Sequence, residues 1–193
     1  MQKFLFFFDH ISTWVGKLFA WSVAILTGVV CYEVFMRYVV GAPTTWAYDV
    51  SYILYGSLFI MSGAYTLAHR AHVRADVLYR LWPQRVQAAI DLALYLLFFL
   101  PAVLAFIWAG YDFAQVSWTM GERSPFSPAG PPLYHFKSLI PLSGFFLLLQ
   151  GIAEIIRCVV TLATGTWPER LQDVQELEQE VLRAAAQARG ERR

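Results

Sequence analysis

Four long runs of apolar residues, separated by short charged or proline-rich segments, account for most of the chain. One run, residues 50–68, has 19 residues without a charged side chain, and another, residues 92–111, has 20. At about 1.5 Å per residue, such runs can cross a hydrocarbon core of roughly 30 Å. The pattern predicts an all-α integral membrane four-helix bundle over residues 18–165. The predicted spans are residues 18–38, 46–69, 88–112 and 135–163.

Both ends of the chain carry amphipathic patterns outside these spans. In residues 1–17, apolar side chains recur at helical spacing among charged ones, which predicts an amphipathic helix lying in the membrane interface. A frayed start of the first span is the alternative. In residues 166–193, a heptad-like apolar stripe is combined with acidic residues first and basic residues last. This segment is predicted to be a cytoplasmic amphipathic helix.

Composition agrees with a membrane protein. The chain is 58% hydrophobic and 15% charged, whereas a soluble domain has about 25% charged residues. The formal net charge of +1 gives no reason to expect nucleic acid as a partner. The two cysteines, Cys31 and Cys158, have neither metal-binding nor redox spacing, so no metal site or cofactor is predicted.

The distribution of basic residues predicts an orientation. One side of the membrane would carry both termini, the basic segment 70–85 and the C-terminal arginines. The opposite side would carry Arg37, Arg123 and Lys137. Because lysine and arginine favour the cytoplasmic side, both termini are predicted to be cytoplasmic in a multi-pass protein of the bacterial inner membrane.

Ionisable residues lie near the ends of the predicted spans rather than at their centres. Glu33 and Arg37 are four residues apart, and Glu154 and Arg157 are three apart. The four-residue spacing puts Glu33 and Arg37 on one helix face, where they can pair. Snorkelling and structural pairing account for charges at such positions. With no charge at the centre of any span, the sequence predicts neither an ion relay nor a catalytic site, and the protein is not expected to be an enzyme.

Prolines predict two irregular stretches. Pro101 lies inside the third span, where it requires a kink or a local repair around the freed carbonyl. Residues 121–132 contain four prolines and are predicted to form an ordered, non-helical loop.

A series of motifs runs from the end of the first span to the end of the second. The motif residues are Arg37, Trp46, Asp49, Gly56 or Gly63, His72, Arg74 and Asp76. This series resembles the small permease (DctQ-like) subunit of tripartite ATP-independent periplasmic (TRAP) transporters. Many members have Glu in place of Asp49, so the carboxylate is kept but its reach is shorter. The stretches 128–142, 149–158 and 164–168 are similar to the branch of that family associated with mannitol or chloroaromatic compounds.

The resemblance implies a transport role shared with other proteins. In that family a large membrane subunit carries the substrate and sodium sites and moves as an elevator, and a periplasmic binding protein delivers an organic acid. The small subunit is expected to be a static scaffold in contact with membrane lipids, and to offer part of the docking surface for the binding protein. Carboxylates such as 2-oxo or hydroxy acids are the implied substrates.

Structural roles are expected for the motif residues. Arg37, Trp46 and Asp49 should order the outer end of the first helical hairpin. The motif at residues 72–76 should order the inner end of the second span. Glycines of the second span predict a close-packing face, directed either at the large subunit or at other helices of this chain.

Two other classes of protein stay open at this point. A self-sufficient homo-oligomeric channel or carrier would need polar groups at the centre of its spans, and the sequence has no charged ones there. An anchor subunit of a membrane redox complex would need inward-facing histidine ligands within the spans. The four histidines fall at or beyond the ends of the predicted spans, which argues against that class.

Overall fold

The computed structural model describes residues 2–69, 82–128 and 130–168. Its helices are α1 (Gln2–Phe35), α2 (Ala47–Ala68), α3 (Gln84–Leu94), α4 (Leu100–Met120) and α5 (Tyr134–Thr164). A π turn, Met36–Val40, continues α1, and another, Tyr95–Phe99, joins α3 to α4. Within the described residues, the secondary structure is helical apart from one isolated bridge between Arg123 and Pro132. Four helices are long and apolar enough to cross a membrane, which confirms that part of the prediction.

Helix α1 is continuous across residue 17, where the sequence predicted the boundary between an interfacial helix and the first span. Leu5, Asp9 and Val15 are buried, whereas no residue from 16 to 40 is buried. The N-terminal half of α1 therefore packs against the rest of the chain, and the second half lies at the edge. A location of residues 1–17 at the membrane surface stays a prediction, and the predicted C-terminal helix from residue 169 onward lies outside the described residues.

The π turn before α4 accommodates Pro101. A proline nitrogen cannot donate a hydrogen bond, and its ring crowds the preceding turn of a helix. The N–H of Leu100 bonds to the carbonyl of Tyr95, five residues earlier, so the preceding turn widens rather than breaks. The predicted local repair is thus a π turn, and the resulting apolar helical stretch, residues 84–120, is longer than the predicted span of 88–112.

Helix α5 lies at the centre of the arrangement. It packs against α2 on one side and α3 and α4 on another, and α1 packs mainly along α2. Close approach depends on glycines, because a side-chain carbon built on each of them would come within 2.8 Å of an opposing side chain. The pairs are Gly16–Tyr65, Gly56–Phe136, Gly110–Ile140, Gly144–Ile107 and Gly151–Phe99.

The connection between α4 and α5, called the proline loop here (residues 121–128 and 130–133), is ordered without being helical. The N–H of Leu133 bonds to the carbonyl of Glu122 at 3.0 Å. The guanidinium Nε of Arg123 donates to the carbonyl of Gly130 at 2.7 Å. These bonds satisfy backbone groups where no helix can, which confirms the predicted ordered, non-helical loop for the described residues.

Candidate functional site

A buried polar cluster, called the inner cluster here, joins the N-terminal half of α1 to α5. Arg157 donates through its two terminal nitrogens to Asp9 and to Glu154, each at 2.5 Å. Gln150 donates to the other carboxylate oxygen of Asp9 at 2.9 Å and accepts from the hydroxyl of Ser12 at 2.8 Å. None of these five residues is more than 2% exposed.

The inner cluster acts as a clamp between two helices. Buried charges are tolerated only when they are paired and hydrogen-bonded, so the position of Asp9 is fixed by the partners on α5. Glu154 bonds to Arg157, in keeping with the structural pairing expected for charges near the span ends. Sequence reasoning missed Asp9 and Gln150, because it placed Asp9 on a separate interfacial helix. Asp9 follows the apolar block 4–8, but the sequence carries no signal that assigns it a partner on another helix.

At the opposite end of the helices, Glu33 caps the turn from α1 to α2. The predicted pair is confirmed, since Arg37 donates to Glu33 at 2.6 Å. The other oxygen of Glu33 accepts from the backbone N–H of Thr44 at 3.0 Å and from the hydroxyl of the same residue. One carboxylate therefore fixes both the last turn of α1 and the connection that follows. Gly41, with φ of 74°, lets the chain reverse there.

Asp49 connects the start of α2 to the proline loop. Its carboxylate is 1% exposed and accepts from the hydroxyl of Ser124 at 2.5 Å and from that of Ser127. Trp46, three residues earlier, stacks on Tyr32 of α1, with ring centroids 6.0 Å apart. The motif residues at this end thus contact the elements that meet at the hairpin, and Asp49 also bonds to the proline loop, a contact that the sequence did not predict.

An ion pair stands where the proline loop meets α5. Lys137 of α5 bonds to Glu122 of the loop, and its ammonium lies 4.0 Å from the centre of the Phe113 ring. The hydrogen bond from Lys137 holds the pKa of Glu122 below its ordinary value. Nearby, the indole N–H of Trp118 donates to the hydroxyl of Ser138 at 2.8 Å. The aromatic and charged groups together fix the loop end of α4 and α5.

The remaining motif residues separate into two groups. Gly56 packs under Phe136 of α5. A side-chain carbon built on Gly63 would lie 3.9 Å from the side chain of Leu147. Both glycines thus face α5, in line with packing inside this chain. His72, Arg74 and Asp76 lie outside the described residues.

The chemistry available at these positions is structural. In the described ranges, no three His, Cys, Asp or Glu side chains come together as a metal ion would require. The buried carboxylates of Asp9 and Asp49 are bonded to fixed protein donors. The inner cluster and the contacts of Asp49 with the proline loop therefore fasten helices and loop to one another.

Comparison with known proteins identifies the family. The family described as tripartite ATP-independent periplasmic transporters, DctQ component, matches residues 26–161, which is more than half of the chain. The chain belongs to this DctQ family. It is therefore a small membrane subunit of a TRAP transporter. Members of the DctQ family work with a large membrane subunit and a periplasmic binding protein.

Membership of the DctQ family places the chain among transporter components rather than enzymes. With four helices able to span a membrane, it is a multi-pass inner-membrane protein. No curated protein sequence matches the chain. In this DctQ subunit the inner cluster and the contacts of Asp49 join the apolar helices and the proline loop to one another.

Proposed function

We propose that this DctQ subunit is the static scaffold of a sodium-coupled TRAP transporter for organic acids. The large subunit would carry the substrate and sodium sites and move as an elevator, while this chain holds a fixed position beside it. Substrates would be carboxylates such as 2-oxo or hydroxy acids, which the likeness to the family implies. The similarity of residues 128–142 to the branch associated with mannitol or chloroaromatic compounds supports membership of that branch.

The observation that carries the proposal is the way polar groups are used. Asp9 and Arg157 tie α1 to α5, and Asp49 ties α2 to the proline loop. A subunit that moved substrate by itself would need polar groups free to exchange partners along a path through the membrane. Instead these buried groups join pairs of elements with short hydrogen bonds. Glycine-mediated packing between α4 and α5 further favours a rigid body.

The proposed orientation has both termini in the cytoplasm. The proline loop would then face the periplasm and contribute to the docking surface for the binding protein. Phe126 of that loop is 68% exposed and packs edge-on against Tyr48, with ring centroids 5.7 Å apart. Exposed aromatic side chains held by a fixed loop are suited to protein contacts. The residues 72–76 are proposed to order the opposite end of α2, in contact with lipid headgroups or helices.

Co-expression with the neighbouring genes tests the proposal. The tagged chain would be purified in mild detergent, and the mass of each co-purified protein determined. We expect a stoichiometric large polytopic subunit, and sodium-dependent uptake of an organic acid by liposomes that contain both subunits and the binding protein. Omission of this chain should abolish that uptake. Flux through liposomes containing this chain alone would contradict the scaffold role.

A further inference from the structure

An open groove of about 410 Å³ lies between α2 and α4, with α5 as its floor. It exists because α2 and α4 both pack against α5 without an extensive contact between them. The walls are formed by Tyr52, Tyr55 and Phe59 of α2 and by Phe113 of α4. Phe136 and Lys137 of α5 line the floor. Apart from Lys137, the lining is aromatic and aliphatic.

The dimensions of the groove match part of one membrane leaflet. Along α2 it extends from Tyr52 to Ile60, which is about 12 Å at 1.5 Å per residue. One leaflet contributes about 15 Å to a hydrocarbon core of roughly 30 Å. The groove begins near the proline loop, at Leu133 and Phe136, and extends along α2 to just past the middle of that helix. Its contents are therefore at the depth of the acyl chains of that leaflet.

The mouth of the groove carries both signs of charge. Lys137 reaches it from the floor and is bonded to Glu122 of the proline loop. An ammonium has three donors and Glu122 has two oxygens, so the pair can bind a further acceptor and a further donor at once. A headgroup with a phosphate and a primary amine offers that combination of charges.

We propose that this groove binds one phospholipid with an amine-bearing, zwitterionic headgroup. An acyl chain lies between Tyr55, Phe59 and Phe136, the phosphate accepts from Lys137, and the amine donates to Glu122. The inference concerns a site on the DctQ subunit itself and does not depend on its role as a scaffold.

The charges at the mouth favour a lipid over a helix of the large subunit. A phosphate and a primary amine on one headgroup match the Lys137–Glu122 pair, whereas the backbone of a membrane-spanning helix has its polar groups already bonded to one another. An acyl chain is narrower and adapts to the aromatic walls. Because the tail leaves one apolar environment for another, the selectivity must come from the headgroup and the fit of the chain rather than from apolar burial.

Native mass spectrometry of the whole transporter tests the proposal. The complex of this chain with its large subunit would be placed in nanodiscs with equal amounts of phosphatidylethanolamine, phosphatidylcholine and phosphatidylglycerol, and then re-extracted. We expect one phosphatidylethanolamine to be retained per chain, at least fivefold over the others. Phosphatidylcholine has no N–H donor, and phosphatidylglycerol has no amine. Equal retention of the three lipids would overturn the proposal.

Two variants assign the lipid to the groove. Ile60→Trp fills it and should lower retention at least fivefold, whereas Ile25→Trp, on an exposed face of α1, should leave retention unchanged. The double variant Glu122→Gln with Lys137→Gln should keep a lipid but lose the headgroup preference. Full lipid retention by Ile60→Trp would show that the groove is not a lipid site. The same conclusion would follow if Ile60→Trp released the large subunit from this chain while the chain kept its lipid.

A measurement on the unaltered complex covers the case in which Ile60→Trp fails to assemble. Phosphatidylethanolamine with a diazirine in its acyl chain would be cross-linked by light, and the modified peptides mapped. We expect the modification to concentrate on peptides containing Tyr55, Phe59 or Phe136. Modification spread evenly over the exposed faces of α1 and α4 would contradict a specific site.

Discussion

Removal of the guanidinium from the inner cluster should destabilise the subunit strongly. Asp9 and Glu154 are each 2% exposed and both accept from Arg157 at 2.5 Å. In Arg157→Met these two carboxylates would lose their shared cation while staying in a site closed to water. Breaking a buried ion pair by removing one partner costs about 3–5 kcal/mol. For a chain of this size that corresponds to a fall in Tm of roughly 10 °C.

The assay is thermal unfolding of the purified complex in one detergent, read from tryptophan fluorescence. Arg85→Met is the matched control, because Arg85 is exposed, and its Tm should change little. Asp9→Asn should cost less than Arg157→Met, since the amide oxygen can still accept from Arg157 and Glu154 keeps its cation. Replacement of Asp9, Glu154 and Arg157 together by apolar residues should recover most of the loss.

The outcome that refutes this reasoning is specific. If Arg157→Met and Arg85→Met had the same small effect, the inner cluster would not be a clamp between α1 and α5. If the apolar triple variant were as unstable as Arg157→Met, the cost would lie in lost packing volume rather than in unpaired charge.

Three further predictions concern the rest of the chain. Asp49→Ala should unfasten the proline loop at a cost of about 1–3 kcal/mol, seen as faster protease cleavage there while the helices stay intact. Gly151→Ala should lower Tm because the new carbon would lie 2.2 Å from Phe99, whereas Gly28→Ala meets nothing within 4 Å and should be neutral. The pKa of Glu122 is lowered in the folded state, so its ion pair stabilises the fold above the unfolded-state pKa and loses that effect as pH falls through the folded-state pKa. Wild type and Glu122→Gln should therefore differ in Tm at pH 7, and the difference should shrink as the pH is lowered into the acidic range; a difference that grew on acidification would be inconsistent with the pair.

The helices could be predicted from sequence because the cost of placing charge in hydrocarbon leaves long uncharged runs. Ion pairs within one helix could also be predicted, since residues three or four apart share a face, as Glu33 and Arg37 do. Pro101 likewise predicts a local irregularity in the helix, and the structure shows that this irregularity is a π turn.

Contacts between distant parts of the chain could not be predicted. Asp9 and Arg157 are 148 residues apart, and Asp49 and Ser124 are 75 apart. Periodicity places a side chain on a face of its own helix and carries no information about which helix packs against that face. For a related reason the start of the first span was only the alternative prediction for residues 1–17, because charged positions there indicate a surface helix unless their partners are known.

Distance measurement within the chain during transport tests the scaffold role most directly. Spin labels would be attached at Val23 of α1 and Leu104 of α4, both exposed, after replacement of exposed Cys31, in the complete transporter. The distance distribution would be recorded with and without sodium, substrate and the binding protein. A static scaffold predicts changes no larger than about 2 Å, the scale of small helix adjustments. A shift larger than one helical turn, about 5.4 Å, would show that this subunit rearranges with the elevator and would contradict the account.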